Sequence, residues 1–301
     1  LWENNNNDWE DCNPLPTPTP SSTATTPTPT PTPSSTPLPG YAEALTYMNA
    51  VLTAGGDLNA SMSAATIQLF TDLNSDNSFS NLDAFYPFMG SSLGGFTVNG
   101  KNPGTHDITW SGGLTISQSG VTGNGVNGHG NTNYSEYPHA QVDNIHIGIY
   151  ILTNKNETAF DMGVNDSFVV SPSVGNSKTL IDTRDANLTY YSVGIDSATP
   201  VASNTGTTDS RGFWIVSRTG STSTTLFHNG TIDDTDTTVS SGGAAQYTYY
   251  ISARNNIGSA NLFSTKLITF VTIGKGLNQT EATNLSNHIN TFLTTLNRNT
   301  Y

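Results

Sequence analysis

Gln246-Tyr-Thr-Tyr-Tyr-Ile-Ser-Ala253 opens the stretch that decides the fold. It is dense in aromatic and β-branched residues, as a half-buried strand is. Arg254-Asn-Asn-Ile-Gly258 follows as turn material. Leu267-Ile-Thr-Phe-Val-Thr-Ile273 is then an almost unbroken apolar β run, the pattern of a strand covered on both faces. Gly274 and Gly276 break it. Asn278 is placed to cap a helix, with Glu281 at the capping-box position three residues on. Leu285, Ile289, Phe292, Leu293 and Leu296 make one apolar stripe at helical spacing. The chain therefore ends in a helix laid on a β-sheet core.

Composition agrees. Of 301 residues only 11% are charged, and one is Cys. That suits an all-β protein of short strands and tight turns, with no disulfide framework and no zinc pattern. The net charge is −13, and the ten Lys and Arg are scattered, so a phosphate-binding stripe and nucleic-acid partners are not expected. The acidic, Thr/Ser-rich balance suits an exposed particle or extracellular protein. No apolar run reaches the ~18 residues of a membrane span. The chain opens on Leu1 without an apolar leader, so it is expected to be a processed product or part of a longer chain.

Working outward, residues 81–301 read as a β domain. Ile145-His-Ile-Gly-Ile-Tyr-Ile-Leu152 is the clearest central strand, and Phe213-Trp-Ile-Val-Ser217 and Thr225-Leu-Phe-His228 are others. Shorter strands are expected at 96–98, 106–110, 114–116, 159–162, 167–170, 179–181 and 188–193. Asn229-Gly230 is the strongest hairpin signal, and Gly120 to Asn133 reads as turns. Short strands at intervals of about ten residues, with no helices between them, predict a sandwich. Residues 40–80 predict a helical hairpin, with Leu45, Met48, Val51 and Leu52 on one stripe and Ala65, Leu69, Phe70 and Leu73 on the other. Residues 14–39 form a Thr/Pro-rich extended spacer, able to reach about 80 Å at about 3.1 Å per residue. Residues 1–13 are too polar to fold alone, yet carry Trp2 and Trp9, which marks them as a docking peptide.

LDAFYPFMG (82–90), GVTGNG (120–125), the run 209–230 and above all SARNN, FSTKLITFVTIGKGL and TEA within 249–298 carry a resemblance. Residues 41–298 resemble a concanavalin A-like (laminin-G-like) jelly-roll domain, in the version carried by tailed-bacteriophage structural proteins. The resemblance implies an all-β jelly-roll sandwich displayed on a virus particle: a head decoration, fibre or tail appendage, located at the virion surface. Its implied partners are capsid, portal or tail proteins held by the N-terminal arm, cell-surface glycans, and further copies of itself.

The chemistry tested against the sequence is mostly missing. Glycoside cleavage needs two carboxylates about 5–9.5 Å apart. No Glu lies on a confident strand with a second carboxylate two or four residues away, and Asp182 and Asp185 straddle a turn on alternate faces. The expectation is a non-enzymatic chain with no catalytic residues. Asp233, Asp234 and Asp236, read as a hairpin turn, are weak candidates for a calcium ion, and no other cofactor is expected. The scattered histidines, with His146 a surface or sheet-face residue, make no transition-metal pattern. Tyr134 and Tyr137, in a polar loop, are the candidate sugar platforms, while Trp110 and Trp214 alternate within strands and read as core.

Overall fold

The structure is a computed structural model that describes residues 38–139, 143–166, 177–195, 202–237 and 243–301. The docking peptide with Trp2 and Trp9, nearly all of the spacer, and the expected strand at 167–170 lie outside the described residues.

Helices α1 (Tyr41–Thr53), α2 (Ala60–Ser75) and α3 (Ser78–Asn81) lead into β1 (Leu82–Tyr86). There follow β2 (Thr109–Ser111), β3 (Leu114–Ser117), β4 (Gly120–Gly123), β5 (His129–Ser135), the helical turn α4 (Glu136–His139) and β6 (Ile145–Ile151). Next come β7 (Met162–Asp166), β8 (Ser177–Asp185), β9 (Leu188–Ile195), β10 (Ala202–Thr205), β11 (Gly212–Gly220), β12 (Ser223–His228) and β13 (Thr231–Asp236). The chain closes with β14 (Thr248–Ile251), β15 (Arg254–Asn256), β16 (Ser259–Asn261), β17 (Leu267–Gly274) and α5 (Gln279–Thr295).

The strands form two sheets, and the protein is an all-β sandwich of the expected class. The first sheet runs β13-β12-β11-β6-β17-β4-β3, with β1 also paired to β17. The second runs β10-β9-β8-β7-β14-β5-β2, with β15 added in parallel to β7. Alternation along the central strands explains the layers. On β6, Ile147, Ile149 and Ile151 face the second sheet and join Trp214, Val216, Val271 and Ile273 in the inter-sheet core. Their neighbours Tyr150, Phe213, Ile215, Phe227 and Phe270 face outward and are equally buried, because α1, α2 and α5 cover that face. Covering on both sides is why β6 and β17 read as continuous apolar runs.

The helical hairpin thus shares one core with the first sheet. Phe70 on α2 has no exposed surface and its ring lies 5.7 Å from Tyr47 and 5.5 Å from Phe85. Truncating such a ring costs about 3–5 kcal/mol. The α1 stripe is rotated from the one expected: Ala44, Tyr47, Met48 and Val51 are buried, whereas Leu45 and Leu52 are 39% and 51% exposed. The aromatic stack with Phe70 favours Tyr47 as the inward residue. At the other end, Asn278 accepts from the Glu281 amide and Glu281 accepts from the Asn278 amide, the expected capping box.

Four other expectations change. The segment Gly95–Thr97 is a 3-10 turn rather than a strand. Arg254–Asn256 is a short strand rather than turn material, its side chain Asn255 bonding the Thr248 carbonyl. The glycine-rich stretch 120–133 holds β4 and β5. Glycine there permits close backbone approach: a Cβ at Gly123 would lie 2.4 Å from the Ser264 carbonyl oxygen, and one at Gly130 would lie 2.6 Å from the Trp110 ring. His146 lies on a sheet face, but fully buried, with Nδ1 2.5 Å from the Lys275 carbonyl; burial lowers its pKa to about 4, so it is neutral.

Candidate functional site

The two edges of the sandwich where β10 and β13 approach each other leave a cleft of about 350 Å³, lined by Asn204, Thr205–Asp209, Trp214, His228 and Asp233. Ligand clefts span about 300–1,000 Å³, so this one has room for a single small ring. Its floor is a cross-strand pair. Register places Trp214 on β11 directly opposite His228 on β12, and their rings stack at 3.8 Å with planes 8° apart. Trp214 Nε1 donates to the Ser210 carbonyl at 2.9 Å, which fixes the indole against the loop before β11.

His228 is held just as firmly. Burial lowers its pKa, so the ring is neutral at pH 7. Its Nε2 lies 2.9 Å from the Arg211 carbonyl, which can only accept; Nε2 therefore carries the proton and Nδ1 is the acceptor. Gly212 makes this possible. It has φ +106°, and a Cβ there would lie 2.7 Å from His228 Nε2 and 2.4 Å from Asn229 Oδ1.

Two carboxylates flank the rings. Asp209 takes both oxygens' worth of bonding from Arg211, at 3.0 Å from Nε and 2.6 Å from Nη2, and those hydrogen bonds lower its pKa. Asp233 sits where the β12–β13 register skips from Leu226↔Asp234 to Phe227↔Ile232. This bulge frees Asp233 from the ladder, and Asn204 Nδ2 across the cleft donates to it. The result is a polar slot floored by the half-buried His228 ring over Trp214 and edged by two carboxyl groups and an amide, groups of the kind that bond sugar hydroxyls.

The sequence candidates are distributed differently. Tyr134 is 1% exposed; its ring stacks on Tyr249 at 6.0 Å and its hydroxyl donates to Asp83 at 2.9 Å. It is a core residue and offers no open ring face, which corrects its reading as a platform. Tyr137 is 53% exposed, beside a cis peptide to Pro138. Nearby, Asp83, Lys101, His106, Tyr134 and His139 line a second, smaller cleft of about 280 Å³. Trp214 is core as expected, while Trp110 is only half-buried, packed on Phe88. Asp233, Asp234 and Asp236 lie on the strand β13, not in a turn. Among the described residues no three His, Cys, Asp or Glu side chains gather into a metal-holding group, so the calcium trio does not assemble.

Carboxylates do meet elsewhere, across strands rather than along one. Asp161 and Asp182 each lie 3.0 Å from Lys266 Nζ, all three buried. Glu136, 1% exposed, accepts from Ser177, Thr179, the Ala245 amide and Tyr249. Both groups are sealed and serve the fold. Spacing along single strands missed the Asp161–Asp182 pair and the buried Glu136, as it missed Asp209 and His228. The signal that carries the latter is the turn at Ser221-Thr222, which joins β11 to β12 and sets Trp214 opposite His228.

No family model and no curated protein matches the chain. Among solved structures it is similar to a Trypanosoma rangeli sialidase in complex with 2,3-difluorosialic acid, at 13% identity and TM-score 0.47, over 69% of this chain and 32% of the sialidase. It is also similar to the binding domain of botulinum neurotoxin DC in complex with rat synaptotagmin II, at 12% identity and TM-score 0.46, over 70% of this chain and 52% of the other. A third is botulinum neurotoxin type C, whose cell entry is described as dependent on two ganglioside molecules, at 11% identity and TM-score 0.49, over 71% and 52%. The chain spans about a third of the sialidases and half of the toxin domains. These likenesses concern the β-sandwich fold alone. The sialidases among them are enzymes, which points against the expectation of a non-enzymatic chain, and the missing strand-borne carboxylate pair does not exclude catalysis.

Proposed function

We propose that this chain is a surface-displayed recognition protein whose lectin-like sandwich engages glycans at the β10–β13 cleft. One observation carries the reading: the half-buried His228 ring, backed by the buried Trp214 indole, lies beside two carboxyl groups, Asp209 and Asp233, in a slot sized for one sugar ring. Aromatic faces pack on the apolar face of a sugar, and carboxylates accept from its hydroxyls. The proposed setting is the surface of a tailed-phage particle, anchored through residues 1–13 and held out by the Thr/Pro spacer. The motifs quoted above and the composition of those two segments support it. Several copies acting together through effective concentration make weak single sites sufficient for adhesion.

The test is a glycan array probed with the full chain and with Asp233→Ala. Retention on a defined saccharide that Asp233→Ala weakens about tenfold or more supports the cleft. Retention that is insensitive to Asp233→Ala moves the site elsewhere, and silence on every sugar removes the glycan reading. Release of reducing ends from a bound polysaccharide makes the same cleft catalytic. The anchoring is tested separately, by asking whether particles still incorporate the chain after Trp2→Ala and Trp9→Ala; unchanged incorporation refutes docking through the arm.

A further inference from the structure

On the helical side of the molecule, α5 ends in a Schellman motif. Asn297 takes φ +55°, the Arg298 amide bonds the Leu293 carbonyl at 2.8 Å, and the Asn297 amide bonds that of Thr294 at 3.0 Å. This turn folds Arg298 inward until only 4% of it is exposed. There it lines a cleft of about 400 Å³ together with Asn59, Ser61, Gln118, Ser119 and Asn297.

The guanidinium has almost no partners. Of its five N–H donors, one bonds the Phe88 carbonyl at 2.9 Å, and no other bond or ion pair is made with the described residues. No Asp or Glu lines the cleft. The ionisable group that faces Arg298 is the phenol of Tyr47, which burial keeps protonated. Burial without a counter-charge lowers the arginine's own pKa to about 10, still ionised at pH 7. A buried cation with no anion is costly, and proteins ordinarily pair it.

The same cleft receives the start of α2, a 16-residue helix. Asn59 caps the Met62 amide through its side chain at 2.9 Å. The amides of Ala60 and Ser61 have no intrahelical partner and lie at the positive end of the helix dipole. Ser61, Gln118 and Ser119 add side-chain donors on the rim. The buried Arg298 and a helix N-terminus line one space, in a chain of net charge −13.

We infer that this cleft binds an oxyanion: a carboxylate or sulfate group of an acidic saccharide, or the free ion. The guanidinium holds it by charge-assisted bonds and the first turn of α2 completes the cradle. The site is separate from the β10–β13 cleft and stands or falls independently of it.

Binding is measured on the full chain by calorimetry and thermal unfolding, with sodium sulfate, glucuronate and glucose as probes. Sulfate, glucuronate or both bind saturably; glucose does not. Glucuronate tighter than sulfate marks an acidic saccharide, and the reverse marks a free oxyanion. Arg298→Met weakens the binding about tenfold or more. Because that variant also loses the bond to Phe88, Ser61→Glu gives a second arm: it places a carboxylate in the cradle on an exposed position. It is expected to raise the anion-free Tm and abolish the response. The inference is overturned by a non-saturating rise with sulfate that is equal in wild type and both variants, the behaviour of an excluded salt, or by glucose binding as well as glucuronate does.

Discussion

Replacing Lys266 by Met tests how the buried charges of the sandwich are balanced. Lys266 Nζ lies 3.0 Å from Asp161 Oδ2 and 3.0 Å from Asp182 Oδ1, and the three side chains are 0–3% exposed. Asp161 has further support from the Thr183 amide and hydroxyl and from Ser264, so it keeps partners without the lysine. Among the described residues Asp182 keeps only the Arg184 amide at 3.1 Å. Removing one member of a buried ion pair costs about 3–5 kcal/mol. For a unit of this size each kcal/mol lowers Tm by about 2–4 °C, so Lys266→Met is expected to lower it by about 10 °C.

The cost depends on pH, and its sign follows from Asp182. Burial, then the neighbouring charge of Asp161, raise the Asp182 pKa to about 7, against the pull of Lys266. A raised carboxyl pKa favours the protonated native state. Stability from this group is full below the unfolded value near 3.8 and declines as pH rises through about 7. At pH 5 Asp182 is protonated and does not need the lysine's charge; at pH 8 it is ionised and the variant strands it. The Tm loss is therefore expected to be larger at pH 8, measured by thermal circular dichroism, and Lys266→Met with Asp182→Asn should recover part of it. Equal losses at both pH values, or a loss under about 2 °C, refute the reasoning.

Two further outcomes are specific. Tyr134→Ala should cost about 3–5 kcal/mol in urea unfolding, and Tyr137→Ala should stay within about 0.5 kcal/mol, since one ring is core and the other half exposed. Gly212→Ala should lose about 1–3 kcal/mol and weaken any ligand of the β10–β13 cleft, because its Cβ collides with His228; wild-type stability in that variant would show the turn is not constrained.

The parts of this fold that were legible in the sequence are those decided locally. Asn278 and Glu281 announce a helix start, Asn229-Gly230 a hairpin, and the apolar run 267–273 a doubly covered strand, and each holds in the structure. Asn229 and Gly230 both take the positive φ that such a turn needs. Residues whose meaning comes from another strand were not legible. Tyr134 sits in a polar, glycine-rich segment, yet Tyr249, distant in sequence, covers its ring. Asp233 looks like a turn residue until a bulge on β13 turns it toward Asn204. Arg298 looks like a frayed end until the last turn of α5 folds it under. Periodicity identifies faces, but it does not say which faces meet.

The bulge on β13 has a second effect, on neighbours rather than ligands. This strand ends the first sheet among the described strands, and it carries Asp233, Asp234 and Asp236. An unpaired strand is a template on which another chain can grow a sheet, and charge together with a local kink makes that growth unfavourable. The same border of a second copy would set acid against acid, which disfavours sheet growth across it.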